Sequence, residues 1–217
     1  MSRYTGRVSA RAARRAERRK QKQKPRARSF PWFTALVVGV VVVFGFVLLR
    51  SLGAFDVTTT TGALIDPKQA TLNAGQQVPI MGNNHLNPDQ SFTAYNSTPP
   101  TSGPHWNAAG RGPIAWGVYT TTQRDEGVTH NLEHGGVLIA YNGISDEDLA
   151  KLRSIRGRYP KDKFSEVKII LEPYARIEQG TIALAAWGWL DKMTGVDEKR
   201  VVGFLAAHIG QGPEDAP

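Results

Sequence analysis

The chemistry open to this sequence is set by its histidines and by the lack of any thiol. Five histidines occur, His85, His105, His130, His134 and His208, and the first four crowd between positions 85 and 134. Cysteine is absent, which excludes disulfides, thiolate nucleophiles, iron–sulfur clusters, Cys-type zinc sites and a blue-copper centre. A metal ion on this chain must therefore sit on imidazole, carboxylate, thioether or backbone oxygen. Neutral imidazole offers a lone pair near neutral pH and is the commonest protein metal ligand.

The densest element is His130-Asn131-Leu132-Glu133-His134-Gly135-Gly136. On a helix it would match H-x-x-E-H, the inverted zincin signature. The chain would then be a zinc hydrolase, with both histidines on zinc and Glu133 as general base. The flanks argue against that helix. Gly127 and β-branched Val128 and Thr129 precede the motif, and Gly135-Gly136 and a strand pattern follow it. The segment is therefore expected to be extended or turning, so that His130 and His134 meet His105 and His85 from the preceding loops. Three or four imidazoles suit copper(II) or zinc. Met81, four residues before His85, would add a soft thioether and tilt the choice toward copper. Glu133 would be a further ligand or the partner that orients an imidazole. Two other readings use the same residues. The histidines would either fix irregular loops in a non-catalytic envelope interaction or scaffold domain, or act as acid and base without a metal.

A second stretch, Tyr95 to Trp106, is rich in proline and contains Pro99, Pro100, Ser102, Gly103 and His105. It is expected to form a rigid loop that presents His105. Ser102 stands near His105 without a G-x-S-x-G elbow, which argues against a serine hydrolase. His208 falls at the end of a helical pattern and is read as a packed or dipole-complementing residue. Trp187 and Trp189 read as core or sheet-face aromatics, and Trp106, Trp116, Tyr95 and Tyr119 as packing residues, with the wall of a pocket as the alternative.

The elements that must carry these residues follow from periodicity and turn signals. Asp66 to Val78 holds a first strand, Met81 to Arg111 is ordered coil interrupted by proline and glycine, and Ile114–Thr121 is a short strand. Val137–Tyr141, Val167–Leu171 and Thr181–Trp187 read as strands. Ser145 caps a helix over Asp146–Arg156, and a last helix runs from Asp197 to His208. The pattern predicts an α+β domain over 78–217, with a mainly antiparallel or mixed sheet covered by helices.

Charge divides the chain differently. Residues 1–28 hold twelve Lys/Arg against Glu17, and the remainder holds 15 Lys/Arg against 18 Asp/Glu. The high pI thus belongs to the tail 1–29. From Phe30 to Leu49 no residue is charged, and about 20 apolar residues suffice to cross a bilayer as a helix. A single transmembrane helix is predicted over 30–52, with Trp32 at one interface and Arg50 at the other. The basic tail should stay in the cytoplasm and the domain, after a linker and entry segment over 53–77, should be exported. A cleaved signal peptide with Ser51 and Gly53 before the cut is the rival, but the apolar run exceeds the roughly 7–15 residues of a signal core. The tail has one aromatic, Tyr4, and no reading motif, which favours anionic lipid headgroups over nucleic acid as its partner.

Pro99–Trp106 (PPTSGPHW) and His130–Asn142 (HNLEHGGVLIAYN) together resemble the bacterial family catalogued as domain of unknown function 3105. Gly82–His85, Glu172–Tyr174, Ala186–Trp187 and the Gly-Pro-Glu that ends at Glu214 extend the resemblance. It implies a protein anchored in the plasma membrane with its domain outside the cytoplasm, and supplies no activity. The positions carried over are His85, Tyr95, Pro99, Pro100, Ser102, Gly103, His105, His130, Asn131, Glu133, His134, Gly135 and Gly136. The combined expectation is a membrane-tethered domain that binds copper or zinc through its histidines and serves metal handling or an envelope or respiratory assembly.

Overall fold

The structure, a computed structural model, describes residues 62–217. The basic tail and the apolar segment 30–52 lie outside the described residues. No helix among the described residues is long and apolar enough to cross a membrane.

A six-stranded mixed sheet forms the middle of the domain. Its strands are β1 (Gln76–Gln77), β4 (Gly117–Val118), β5 (Val137–Asn142), β6 (Ile169–Pro173), β7 (Thr181–Ala186) and β8 (Trp189–Thr194). Across the sheet they run β1-β8-β7-β5-β6-β4. The β4–β6 and β5–β6 pairs are parallel and the remaining three pairs antiparallel. Strands β2 (His85–Leu86) and β3 (His105–Trp106) make a separate parallel pair. The fold is α+β with a mixed sheet.

Side-chain alternation builds two cores from one sheet. Val137 and Ile139 of β5, Ile169 and Leu171 of β6, and Ile182 and Leu184 of β7 face helices α2 (Asp146–Arg158) and α3 (Glu198–His208), meeting Leu152, Ile155, Val201, Phe204 and Leu205. The intervening residues Leu138, Ala140, Ile170, Ala183 and Ala185 face the other way and pack on Val128 and Leu132 of helix α1 (Asp125–Glu133). The three alanines among these five give α1 room to lie close. The caps of α2 and α3 follow their sequence signals. Ser145 Oγ accepts the Asp148 N–H at 3.1 Å, and Asp197 Oδ1 accepts the Arg200 N–H at 3.1 Å.

Three expectations shift. Strand β6 starts two residues later than predicted, at Ile169. The first strand shrinks to Gln76–Gln77, because Asp66 instead caps a 3-10 turn over Pro67–Gln69. Of the stretch read as linker and entry segment, the described residues 62–77 lie along the domain, with Ile65 N–H donating to Arg158 O at 2.9 Å. Strand β8 was not foreseen. It returns from β7 through Trp187-Gly188, where Gly188 takes φ +75, and its Asp191 and Lys192 mask the strand pattern.

The largest correction concerns residues 125–134. The expected turn is helix α1, all nine residues of which are buried. Gly135-Gly136 stops this helix. Gly135 (φ +77) donates its N–H to Leu132 O at 3.0 Å and Gly136 donates to Asn131 O at 2.9 Å. That crossed pair is the Schellman stop, so the two glycines mark a helix end. Gly127 is there for contact. A Cβ added to it would stand 2.6 Å from Arg111 O and 3.0 Å from Ile114 Cγ2. Alanine gains about 1 kcal/mol of helix propensity over glycine, yet the opposing atom is backbone and cannot swing away. Gly127→Ala is therefore expected to destabilise the domain by about 2 kcal/mol net in urea unfolding.

Candidate metal centre

Two short contacts between remote segments bring the histidines together. The β2–β3 ladder sets His85 opposite His105. Gly82 (φ +87) and Gly103 (φ +121) shape the two approaches, and Gly103 N–H donates to Gly82 O at 3.0 Å. The Pro-rich loop is fixed around them. Ser102 Oγ accepts the Met81 N–H at 3.0 Å, and Tyr95 donates its hydroxyl to Pro104 O at 2.7 Å. Burial pushes the Tyr95 hydroxyl well above its ordinary value, so it remains a donor. Pro99 and Pro100 are buried beneath the loop. Asn131 ties the next loop to α1, its amide bonding both the N–H and the C=O of Ile114 at 2.9 and 2.8 Å. The loop candidates thus act as scaffolding for the rings.

Helix α1 meets β3 side on. His130 Nδ1–H donates to Trp106 O at 2.6 Å, and His105 Nδ1–H donates to Gly103 O at 2.8 Å. A carbonyl can only accept, so in both rings Nδ1 carries a proton and Nε2 is the nitrogen left facing inward. Burial, joined by the neighbouring imidazoles His134, His105 and His85, pushes His130 down to about 4 against the opposing pull of the Trp106 carbonyl. It is neutral at pH 7.

The free nitrogens converge on Glu133. Its Oε2 lies 2.9 Å from His105 Nε2, 3.8 Å from His85 Nε2 and 4.0 Å from His130 Nε2. One ligand atom from each of His85, His105, His130 and Glu133 lies within 4.8 Å of every other. Bonds of about 2.0–2.1 Å in a tetrahedron put ligand atoms roughly 3.3 Å apart, a value that the three distances bracket. The His105 contact is the informative one. Both residues are fully buried, yet His105 Nε2 and both Glu133 oxygens lack a hydrogen-bond partner among the described residues. Nδ1–H is committed to Gly103, so Nε2 is the nitrogen that meets the carboxylate at 2.9 Å. Something positive belongs between them, either a second ring proton or a metal ion. His85 is the open side, with its side chain 43% exposed and Nδ1 only 3.4 Å from Asn107 Nδ2.

The remaining candidates fall elsewhere. His134, the C-cap of α1, turns to the C-terminal segment, where Nδ1–H donates to Pro217 O at 2.8 Å and Nε2 stands 3.3 Å from Glu214 Oε2. It belongs to a second group with His130 and Glu214. His130 and His134 do share a helical face, but Glu133 sits inside the first ligand group, unlike a base poised beside two zinc-bound histidines. Met81 Sδ accepts the Asn96 N–H at 3.2 Å and serves the loop. His208 bonds Ala74 O at 2.8 Å and packs between the Trp189 and Phe204 rings. Sequence reasoning missed Glu214, although it ends a quoted motif. It also missed the Gly103 and Trp106 carbonyls, which carry no side-chain signal.

The match to a protein family of unknown function, DUF3105, spans residues 85–217. The chain belongs to that family. The matched span takes in all four converging residues and Glu214. No curated protein and no solved structure matches the chain.

Proposed function

We propose that this domain holds one divalent transition-metal ion, zinc or copper(II), between His85, His105, His130 and Glu133. The observation that carries the reading is the buried contact between His105 Nε2 and Glu133 Oε2, 2.9 Å apart with neither atom in a hydrogen bond among the described residues. Three neutral imidazoles and a carboxylate form a borderline donor set that suits zinc and copper(II). The thioether that would single out copper is occupied by loop backbone. The carbonyls of Gly103 and Trp106 fix two ring tautomers with Nε2 inward, the arrangement metal-binding histidines use. In the same reading the apolar run 30–52 tethers the domain to the plasma membrane and the +11 tail stays cytoplasmic, the arithmetic being twelve Lys/Arg less one Glu over residues 1–28. The domain then works outside the cytoplasm in metal handling or an envelope assembly.

The full chain, purified in detergent without chelator and loaded with zinc or copper(II), is expected to hold one ion per chain by elemental analysis. Loading at a hundredfold excess over Kd is expected to stabilise the domain by about 2.7 kcal/mol. No stoichiometric ion and an unmoved melting temperature would sink the assignment.

A further inference from the structure

The second ligand group overlaps the first. His130, His134 and Glu214 also bring one ligand atom each within 4.8 Å of one another. His130 has only Nε2 to offer, because its Nδ1–H is held by Trp106 O at 2.6 Å. A single lone pair cannot serve two ions. The two groups are therefore alternative seats for one ion, hinged on His130 Nε2.

The second seat is built into the fold. His134 follows His130 by one helical turn, and their rings lie 4.5 Å apart, edge to face. His134 Nδ1–H is committed to Pro217 O, so Nε2 is the nitrogen that faces the Glu214 carboxylate, at 3.3 Å. The C-terminal segment that supplies Glu214 is fastened to α1. Glu214 N–H donates to Glu133 O at 3.1 Å, and the buried Lys168 ammonium donates to both His134 O and Ala216 O. A Cβ on Gly212 would stand 2.1 Å from Glu133 O, so the segment lies directly on the helix end. The Glu214 side chain is nonetheless 43% exposed, where three of the four residues in the first seat are buried.

Resting on the metal reading above, we infer that His134 and Glu214 form a transfer seat through which the ion enters and leaves the buried seat, with His130 bound throughout. Moving between seats exchanges His85, His105 and Glu133 for His134 and Glu214 stepwise, so the ion is never stripped of protein ligands. Such an arrangement suits a protein that passes its ion to a partner and predicts fast exchange from a largely buried site.

The test compares the full chain with Glu214→Gln and, separately, His134→Gln, each loaded with zinc or copper(II) alone. Equilibrium stoichiometry, the rate of loading and the rate of removal by excess EDTA are all measured. One ion per chain in all three proteins, with removal and loading slowed at least tenfold in both variants, supports the transfer seat. Unchanged rates in Glu214→Gln, an exposed substitution that leaves the backbone bonds of its segment in place, overturn it while the metal assignment stands. Two ions held at once by the parent chain overturn it as well, because the seats would then be independent. An inability of the parent chain to bind either ion removes both readings.

Discussion

Replacing Glu133 with glutamine is expected to lower metal affinity by about a hundredfold or more and, in the same protein, to raise the stability of the metal-free domain. The two effects share one cause. The Glu133 side chain is completely buried and neither oxygen has a hydrogen-bond partner among the described residues. A carboxylate taken from water is costly unless paired. Without an ion, its nearest contact is His105 Nε2 at 2.9 Å. Glutamine keeps the shape, sheds the charge and can donate its amide N–H to His105 Nε2. The metal-free variant should gain on the order of 1–3 kcal/mol in urea unfolding. With metal the sign reverses, because the anion that balanced the ion is gone. A cluster evolved to hold loops together would behave oppositely, with glutamine weakening the domain and metal mattering to neither protein. Opposite shifts in unfolding midpoint, with and without the ion, separate the two.

Why the strands and capped helices could be read from sequence, and α1 could not, follows from where each draws its stability. Strand β5 and helix α2 carry their signals locally, in a run of apolar β-formers and in a serine cap followed by three acids. Helix α1 has glycine, valine and threonine in its first half, poor helix formers by intrinsic propensity. It forms because its whole surface is buried between the sheet and the 81–114 loops, a tertiary gain that local propensity does not register. That error had a consequence for the site. A turn at His130 would have let His130 and His134 join the same ring of imidazoles. The helix instead places them one turn apart, so one faces the β2–β3 pair and the other the C-terminal segment. Glu133, three residues after His130, shares the first direction. The convergence of His85 with His105 was foreseen from their loop context, but the parallel two-residue ladder that sets them opposite each other depends on register between segments twenty residues apart.

Glu172→Gln is expected to leave stability near that of the parent chain at pH 5 and to make the domain more stable, on the order of 3 kcal/mol, at pH 9. Glu172 lies in β6 with its side chain fully buried. Oε2 accepts the Gln123 N–H at 2.9 Å, while Oε1 has no partner among the described residues. Burial pushes its carboxyl up to about 8 from an ordinary 4.5; nearby Asp125 adds to the rise, and the Gln123 N–H and Arg176 oppose it. Tyr119, Tyr141 and Tyr174 are its other titratable neighbours, and all three are themselves shifted upward by burial. The direction of the pH effect follows from proton counts. Between about 4.5 and about 8 the folded chain keeps a proton on Glu172 that the unfolded chain has released. Folding then binds a proton, so this contribution is complete below the lower value and is lost as pH rises through the upper one. Glutamine has no proton to lose and supplies an amide where the protonated carboxyl stood. The stability difference between variant and parent should therefore grow through this interval and level off above it. Burial raises the Asp125 carboxyl as well, against the hydrogen bonds from Arg176 and Tyr174 at 2.5 and 3.1 Å, but Asp125 is present in both proteins, so the growth in their difference belongs to Glu172. A difference that stays flat between pH 5 and pH 9 would mean that Glu172 is ionised in the folded domain, and that an ion or ordered water answers its bare oxygen.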